Sequence, residues 1–103
     1  MANKGDFTIE NIIQAAEAGI TYYQWMLGRL YQRGNSVPQD YEKAINWFTL
    51  AAWGDNEIAQ YDLACCYLDG TGVERDIEKA IFWLEKAAKA GHADAQAQLG
   101  LSD

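Results

Sequence analysis

The chain repeats itself with a period of 36 residues. Leucines fall one period apart at Leu27, Leu63 and Leu99. Other residues that recur at this spacing are Gln24, Gln60 and Gln96, Tyr31 and Tyr67, Gly34 and Gly70, Asp40 and Asp76, and Trp47 and Trp83. A repeat of this length is typical of one supersecondary unit stacked on copies of itself, so that each copy buries its apolar face on its neighbours. The period therefore predicts a solenoid, but it does not identify a partner.

Helix signals divide the sequence into about six helices, and no segment has the pattern of a strand. Thr8, Asp40 and Asp76 stand where side-chain oxygens can cap the first, third and fifth helices. Glycines such as Gly19 and Gly34 follow the predicted helix ends, as is common after a helix. The predicted helices cover about 9–18, 21–32, 41–53, 57–68, 77–89 and 93–101.

These helices form one domain over residues 1–103, because a chain of this length supports a single core. The predicted parts are an N-terminal capping helix (7–19), a first repeat (20–55), a second repeat (56–91) and a C-terminal half-repeat that caps the array (92–103). The last cap is thin, since Leu99 and Leu101 have little after them to pack on. Self-association at this end, or a native chain that continues further, would cover it.

The charge balance restricts the partners. The chain has 15 acidic and 8 basic residues, for a formal net charge of −7. Phosphate backbones and anionic membrane surfaces both require clustered lysine and arginine, so neither nucleic acid nor a membrane is expected as a ligand. A basic protein surface would be attracted by long-range steering. The alternative is that the acidity only keeps the domain soluble.

The sequence also favours a cytoplasmic location. The first residues lack the apolar stretch of a signal peptide, and no segment approaches the ~20 apolar residues that a membrane helix needs. Cys65 and Cys66 are adjacent, which disfavours a structural disulfide between them. Unpaired cysteines are typical of a reducing compartment.

The repeated positions resemble the Sel-one-like repeat, a relative of the tetratricopeptide repeat that is about two residues longer. The positions that carry the resemblance in the second copy are Ala59, Gln60, Leu63, Ala64, Tyr67, Gly70, Gly72, Val73, Asp76, Lys79, Ala80, Trp83, Ala87, Ala88 and Gly91. The preceding copy matches at most of the same offsets, and the similarity extends from about Ala15 to Gly100. The resemblance implies an all-α fold, a right-handed α-α solenoid, and a role as a protein-interaction scaffold.

The resemblance also places the first helix of each pair on the concave side of the solenoid. Candidate partner-binding residues there are Tyr22, Trp25, Met26, Arg29 and Arg33 in the first copy and Tyr61, Asp62, Cys65 and Asp69 in the second. Between the copies Arg29 becomes Cys65 and Arg33 becomes Asp69, whereas the stacking positions keep their identity. We therefore expect a groove with aromatic anchors and a gradient from basic to acidic. The alternative is that Trp25 and Tyr61 only pack between adjacent units.

A second candidate contact is Trp53, which stands where the next copy has Lys89. In the family that the chain resembles, this position usually holds a polar residue, which implies that Trp53 is exposed and available to a partner. The alternative is that its ring folds back on Tyr22 or Tyr23.

The sequence does not suggest a set of catalytic residues. His92 is the one histidine, no histidine–carboxylate–nucleophile set is suggested, and Cys65 and Cys66 lack further thiols to complete a metal site. We therefore expect no catalytic residues, no metal and no cofactor. The predicted function is an adaptor that binds a peptide or protein in the groove, and the acidic charge favours a basic partner. The alternative is an acidic inhibitor or immunity-type protein that neutralises a basic toxin or nuclease.

Overall fold

The computed structural model of the protein describes residues 8–100, and within them it contains six α-helices joined by short loops. The helices are α1 (Ile9–Glu17), α2 (Thr21–Arg33), α3 (Tyr41–Trp53), α4 (Glu57–Asp69), α5 (Ile77–Lys89) and α6 (Ala93–Gln98). Each helix packs mainly on its sequence neighbours, and the molecule is elongated, with principal extents of 50 × 26 × 19 Å. The predicted all-α solenoid of helix pairs is confirmed. We call α2, α4 and α6 the A-helices, and α1, α3 and α5 the B-helices.

Side-chain caps fix where the helices begin. Thr8 Oγ1 accepts a hydrogen bond from the backbone N–H of Asn11 at 3.2 Å. Asp40 and Asp76 Oδ1 accept from the N–H groups three residues later, at 3.0 and 3.1 Å. Each such cap satisfies an N–H that the helix itself leaves unpaired and stabilises the helix by about 1 kcal/mol. All three predicted caps are confirmed.

The observed helix ends differ slightly from the predicted ones. Helices α2 and α4 each continue one residue further, to Arg33 and Asp69, before a left-handed glycine closes them. Helix α6 is shorter than predicted, because it ends at Gln98 and Leu99 is its C-cap. The prediction for Leu101 lies outside the described residues.

The recurring glutamines tie each A-helix to the B-helix before it. The Nε2 groups of Gln24, Gln60 and Gln96 donate to the carbonyl oxygens of Ala16, Ala52 and Ala88 at 3.1, 3.0 and 2.9 Å. Each acceptor lies in the last turn of a helix, where carbonyl groups have no partner within the helix. The 36-residue period thus repeats one specific hydrogen bond as well as a packing pattern.

Close helix approach depends on small residues facing large ones. A Cβ atom added at Gly28 would lie 2.6 Å from a ring carbon of Phe48, so α2 and α3 meet there without room for a side chain. Trp83 is buried within the larger core cluster, as the sequence predicts for a large residue inside a pair. Trp47, at the same register, is only partly buried and packs against the smaller cluster of Ile12, Ala16 and Leu27.

Candidate functional site

We call the surface formed by the predicted partner-binding residues of α2 and α4 the A-face. It includes Trp25 and Arg29 on α2 and Tyr61, Asp62 and Cys65 on α4. Trp25 lies on α2, and the Asp62 carboxylate that it contacts lies on α4. The indole Nε1–H of Trp25 donates to Asp62 Oδ2 at 2.8 Å. This bond crosses from one repeat to the next and makes Asp62 the centre of the A-face.

Arg29 completes this arrangement around Asp62. Its Nη1 lies 3.7 Å from Asp62 Oδ2, and its guanidinium carbon lies 5.4 Å from the centre of the Trp25 ring. Burial raises the pKa of Asp62 above its ordinary value, although the Trp25 hydrogen bond and the charge of Arg29 act in the opposite direction. The predicted gradient from basic to acidic is therefore interrupted, because the Arg29 charge is paired with Asp62.

An open pocket of about 240 Å³ lies beside this ion pair. Its lining comes from both repeats and from the loop after α4, and consists of Arg29, Gln32, Asp62, Cys65, Cys66, Asp69 and Thr71. The lining contains two carboxylates and one guanidinium, so the pocket carries more negative than positive charge. Such a pocket can hold a basic or hydrogen-bond-donating group.

Tyr61 and His92 form the next contact along the A-face. Their rings stack with centres 4.6 Å apart and planes 20° from parallel. His92 Nδ1 also accepts from the backbone N–H of Ala95 at 3.2 Å and so caps α6. Partial burial and a hydrogen bond with Cys65 raise the pKa of Tyr61 to about 12. This contact fixes the start of α6 against α4.

Trp25 and Tyr61 both pack between adjacent units, as the alternative interpretation of these two side chains predicts. Trp25 reaches Asp62 of the second repeat, and Tyr61 reaches His92 of the last half-repeat. Both side chains are partly buried, and part of each surface faces solvent. Their binding of a partner stays a prediction.

The other predicted groove residues divide into two groups. Tyr22, Arg33 and Asp69 are exposed, and the ring of Tyr22 lies 5.7 Å from that of Trp25. Met26 is partly buried against the cluster around Leu27, so it supports the junction between α1 and α2. Cys65 lies in the pocket, where burial raises the pKa of its thiol.

Trp53 is exposed, as predicted, with 61% of its surface accessible. The aromatic neighbours of its ring are on α5, so the alternative that the ring folds back on Tyr22 or Tyr23 is not observed. Its ring centre lies 4.7 Å from that of Trp83 and 5.8 Å from that of Phe82. Phe82 was not identified from the sequence, although its register equivalent Asn46 is polar and that difference was a usable signal.

Groups suited to metal binding or to reactive thiol chemistry are not found in residues 8–100. No three His, Cys, Asp or Glu side chains of this part of the chain are placed to hold a metal ion. Cys65 and Cys66 are both free, and burial raises the pKa of the Cys66 thiol to about 12, which keeps it protonated. No helix in the same residues is long and apolar enough to cross a membrane.

Comparison with known proteins identifies the repeat. The sequence profile of the Sel1 repeat matches residues 21–52 and 58–92. A putative sel1-like repeat-containing protein of Acanthamoeba polyphaga mimivirus is 40% identical over 48 residues, which are 47% of this chain and 8% of that protein.

Solved structures show the same fold. A Sel1 repeat protein from Oxalobacter formigenes superposes with a TM-score of 0.86 and 41% identity, over 92% of this chain and 28% of that one. A protective antigen of uropathogenic Escherichia coli with an SLR fold gives a TM-score of 0.87 and 35% identity, over 89% of this chain and 20% of that one. Helicobacter pylori cysteine-rich protein B gives 0.83 and 25%, over 85% and 66%.

The chain thus spans less than a third of the first relatives that it matches. Sel1 repeats generally form scaffolds that mediate protein–protein interaction, and such scaffolds are generally not enzymes. The matched segments cover both helix pairs, and the sequence and fold agree on the same repeat. The chain belongs to the Sel1 repeat family.

Proposed function

We propose that this chain is a protein-interaction module that binds a peptide or protein segment on its A-face. The observation that carries the proposal is the pocket beside Asp62, which is open and is built from residues of two successive repeats. Its residues change between the copies, as Arg29 and Cys65 do, while Leu27 and Leu63 at the stacking positions do not. Stacking therefore does not dictate the pocket residues, which leaves them available for recognition.

The charges of the A-face favour a basic partner. Asp69 is exposed at the pocket, whereas the Arg29 guanidinium is already paired with Asp62. The whole chain carries a formal charge of −7, which attracts a basic surface over several ångströms beyond contact. A lysine or arginine side chain of the partner would occupy the pocket beside Asp62 and Asp69.

Two exposed residues allow this proposal to be tested without disturbing the fold. Asp69→Lys and Arg33→Glu leave the Trp25–Asp62–Arg29 arrangement intact. Glu17→Lys makes the same change of charge as Asp69→Lys, but at an exposed position on α1, and it serves as the control. Each version of the full chain would be used as bait in cell lysate at low and high salt. We expect a specific partner that Asp69→Lys loses and Glu17→Lys retains.

A partner retained equally by all versions would contradict binding at the A-face. Loss with Arg33→Glu alone would contradict the basic partner, because an arginine contact selects an acidic group. The melting temperature of each bait, measured by circular dichroism, separates lost binding from lost folding.

Within this proposal the module acts either as an adaptor or as an inhibitor of a basic toxin or nuclease. The net charge of −7 favours the second candidate, because opposite charge accelerates capture. The measurement is the association rate of the captured partner as a function of salt. A rate that falls steeply with salt, together with loss of the partner's activity, supports an inhibitor. A modest affinity for a peptide segment supports an adaptor. The free thiols fit the cytoplasm as the compartment for either role.

Self-association through α6 is a separate part of the proposal. Among residues 8–100, a Cβ atom added at Gly100 would have no neighbour within 4 Å, whereas the equivalent Gly28 is covered by Phe48. Leu99 is only partly buried, whereas Leu63 is fully buried. A second copy would cover this end, and light scattering of the full chain should then show a mass that increases with concentration.

A further inference from the structure

Helices α3 and α5 hold a group of aromatic rings that lies outside the lining of the A-face pocket. Trp53, Phe82 and Trp83 have ring centres 4.7–5.8 Å apart. With Thr49, Tyr67 and Lys79 they line an open depression of about 300 Å³, which we call the aromatic slot. Trp53 is 61% exposed and Phe82 is 42% exposed, although Trp83 below them is buried.

Stacking of the repeats does not require the exposed rings of the slot. The register equivalents of Trp53 are Glu17 and Lys89, and those of Phe82 are Glu10 and Asn46. The other copies therefore pack with charged or polar residues at both positions. Adjacent exposed apolar surface marks interaction sites. Two large aromatic side chains left partly in water therefore indicate a contact with a partner. The slot is thus an addition to one junction of the solenoid.

Lysine side chains stand at the edges of the slot. Lys79 Nζ lies 5.6 Å from the centre of the Tyr67 ring, and Lys86 Nζ lies 5.5 Å from the centre of the Phe82 ring. Within residues 8–100 the Arg29–Asp62 contact is the one ion pair below 4 Å, so neither ammonium group has a carboxylate partner. Apolar rings flanked by two unpaired cations complement an apolar group flanked by carboxylates.

We propose that the aromatic slot is a second docking surface, which binds an acidic segment of a partner protein. An aromatic or leucine side chain of the segment enters between Trp53 and Phe82, and its acidic neighbours pair with Lys79 and Lys86. The volume of the slot is at the lower end of the ~300–1,000 Å³ typical of ligand pockets, so it suits one side chain rather than a whole folded element. The A-face can bind its own partner independently, because the two sites share no residue.

The test uses the full chain and pools of synthetic 12-residue peptides. One pool has Trp, Phe or Leu at the centre and Asp or Glu at the flanks. A second pool has the same centres with Lys or Arg at the flanks, and a third has acidic flanks with Ala at the centre. Binding would be measured by fluorescence anisotropy of labelled pools, and the Trp53 indole signal would be followed by nuclear magnetic resonance.

Each variant has a matched control on the same chain. Trp53→Ala is compared with Leu50→Ala, because Leu50 is 54% exposed on the same helix but does not line the slot. Lys79→Gln is compared with Lys43→Gln, because Lys43 lies over Tyr31 at the same register of the first repeat. Phe82→Asn introduces the residue that the first repeat already carries there, so folding is retained even if Trp53→Ala unfolds the chain.

We expect the acidic pool with apolar centres to bind at the slot and to shift the Trp53 indole signal more than the other two pools do. Trp53→Ala, Phe82→Asn and Lys79→Gln should each weaken this binding about tenfold or more, whereas Leu50→Ala and Lys43→Gln should leave it unchanged. An equal or larger shift of the Trp53 indole signal by the basic pool would overturn the proposal, because a basic peptide that binds only at the A-face leaves that signal unchanged. So would binding that Phe82→Asn does not weaken, or no binding at a peptide concentration of about 1 mM.

Discussion

The second repeat and the last half-repeat carry nearly the same residues in different surroundings. Gln60, Leu63 and Ala64 on α4 are all buried, with exposed fractions of 3% or less. At the same register, Gln96 on α6 and its C-cap Leu99 are only partly buried, and Gly100 after the helix is exposed. Burial at these positions is thus set by the helix that follows α4, namely α5, and not by the residue type.

This difference shows how stability is distributed in the array. In a stack of repeats each unit contacts only its neighbours, so stability is close to a sum of unit and junction contributions. Helix α4 packs on both α3 and α5, whereas α6 packs mainly on α5, with His92 at its start stacked on Tyr61 of α4. An identical substitution should therefore cost much more in α4 than in α6.

The largest effect is expected from Leu63→Ala compared with Leu99→Ala. Leu63→Ala removes fully buried methyl groups and leaves a cavity, and should lower the free energy of unfolding by about 3 kcal/mol. Leu99→Ala should lower it by less than about 1 kcal/mol, because that side chain already meets solvent. Urea unfolding followed by circular dichroism measures both. Equal losses would show that α6 is covered in solution, as self-association through α6 requires.

A smaller effect is expected from the polar link between the repeats. Asp62→Ala leaves the Trp25 indole N–H and the Arg29 guanidinium without their acceptor, and should lower the free energy of unfolding by about 1–2 kcal/mol. Gln98→Ala, at the same register on the exposed surface of α6, should change it by less than about 0.5 kcal/mol. The comparison uses chemical unfolding under identical conditions. A negligible loss with Asp62→Ala would mean that solvent replaces the Trp25 and Arg29 contacts.

The pH dependence of the same junction should be smaller still. Burial raises the pKa of Asp62 in the folded chain above the ordinary value of 3.8. At a pH between the pKa of Asp62 in the unfolded chain and its raised pKa in the folded chain, the folded chain holds a proton that the unfolded chain has released. Stability therefore falls as the pH rises through that interval. Asp62→Asn keeps an acceptor for Trp25 but cannot titrate. The difference in unfolding free energy between wild type and Asp62→Asn should therefore decrease as the pH rises from about 4. A difference that increases over this range would give the opposite sign for the pKa shift.

The smallest effect is expected at the turn after each B-helix. Gly19, Asp55 and Gly91 share one register and all have left-handed backbones, with φ of 95°, 70° and 99°. Asp55→Gly should raise the free energy of unfolding by about 0.5 kcal/mol, because glycine adopts this backbone without strain. Asp55→Ala should lower it, since alanine tolerates positive φ poorly. Thermal unfolding of the two variants measures the sign, and destabilisation by Asp55→Gly would indicate that the Asp55 side chain has a stabilising contact.

Much of the fold could be predicted from residues that act locally. Thr8, Asp40 and Asp76 bond N–H groups only three residues away, so their caps are readable from the sequence. The period likewise predicts which helices pair, because sequential repeats stack on each other. The exact end of α6 could not be predicted, since among the described helices only α5 packs extensively against it.

The candidate sites depend on contacts that the period does not encode. Trp25 meets Asp62, Tyr61 meets His92, and Trp53 meets Phe82 across unequal spacings. The repeat pattern indicates Trp25, Tyr61 and Trp53 as candidate contact residues, but it does not indicate which side chains they meet. For this reason it could not show that Arg29 is paired, or that Trp53 belongs to a slot edged by lysines.

The sequence by itself determined the helices, their caps and their order of stacking, because these depend on hydrogen bonds and apolar spacing within one or two helical turns and on a repeated register. The tertiary structure alone decided which charges are paired and which rings stay exposed. Those outcomes depend on side chains from different repeats meeting in space, where a 36-residue period aligns the backbones but leaves each pair of facing side chains free to differ.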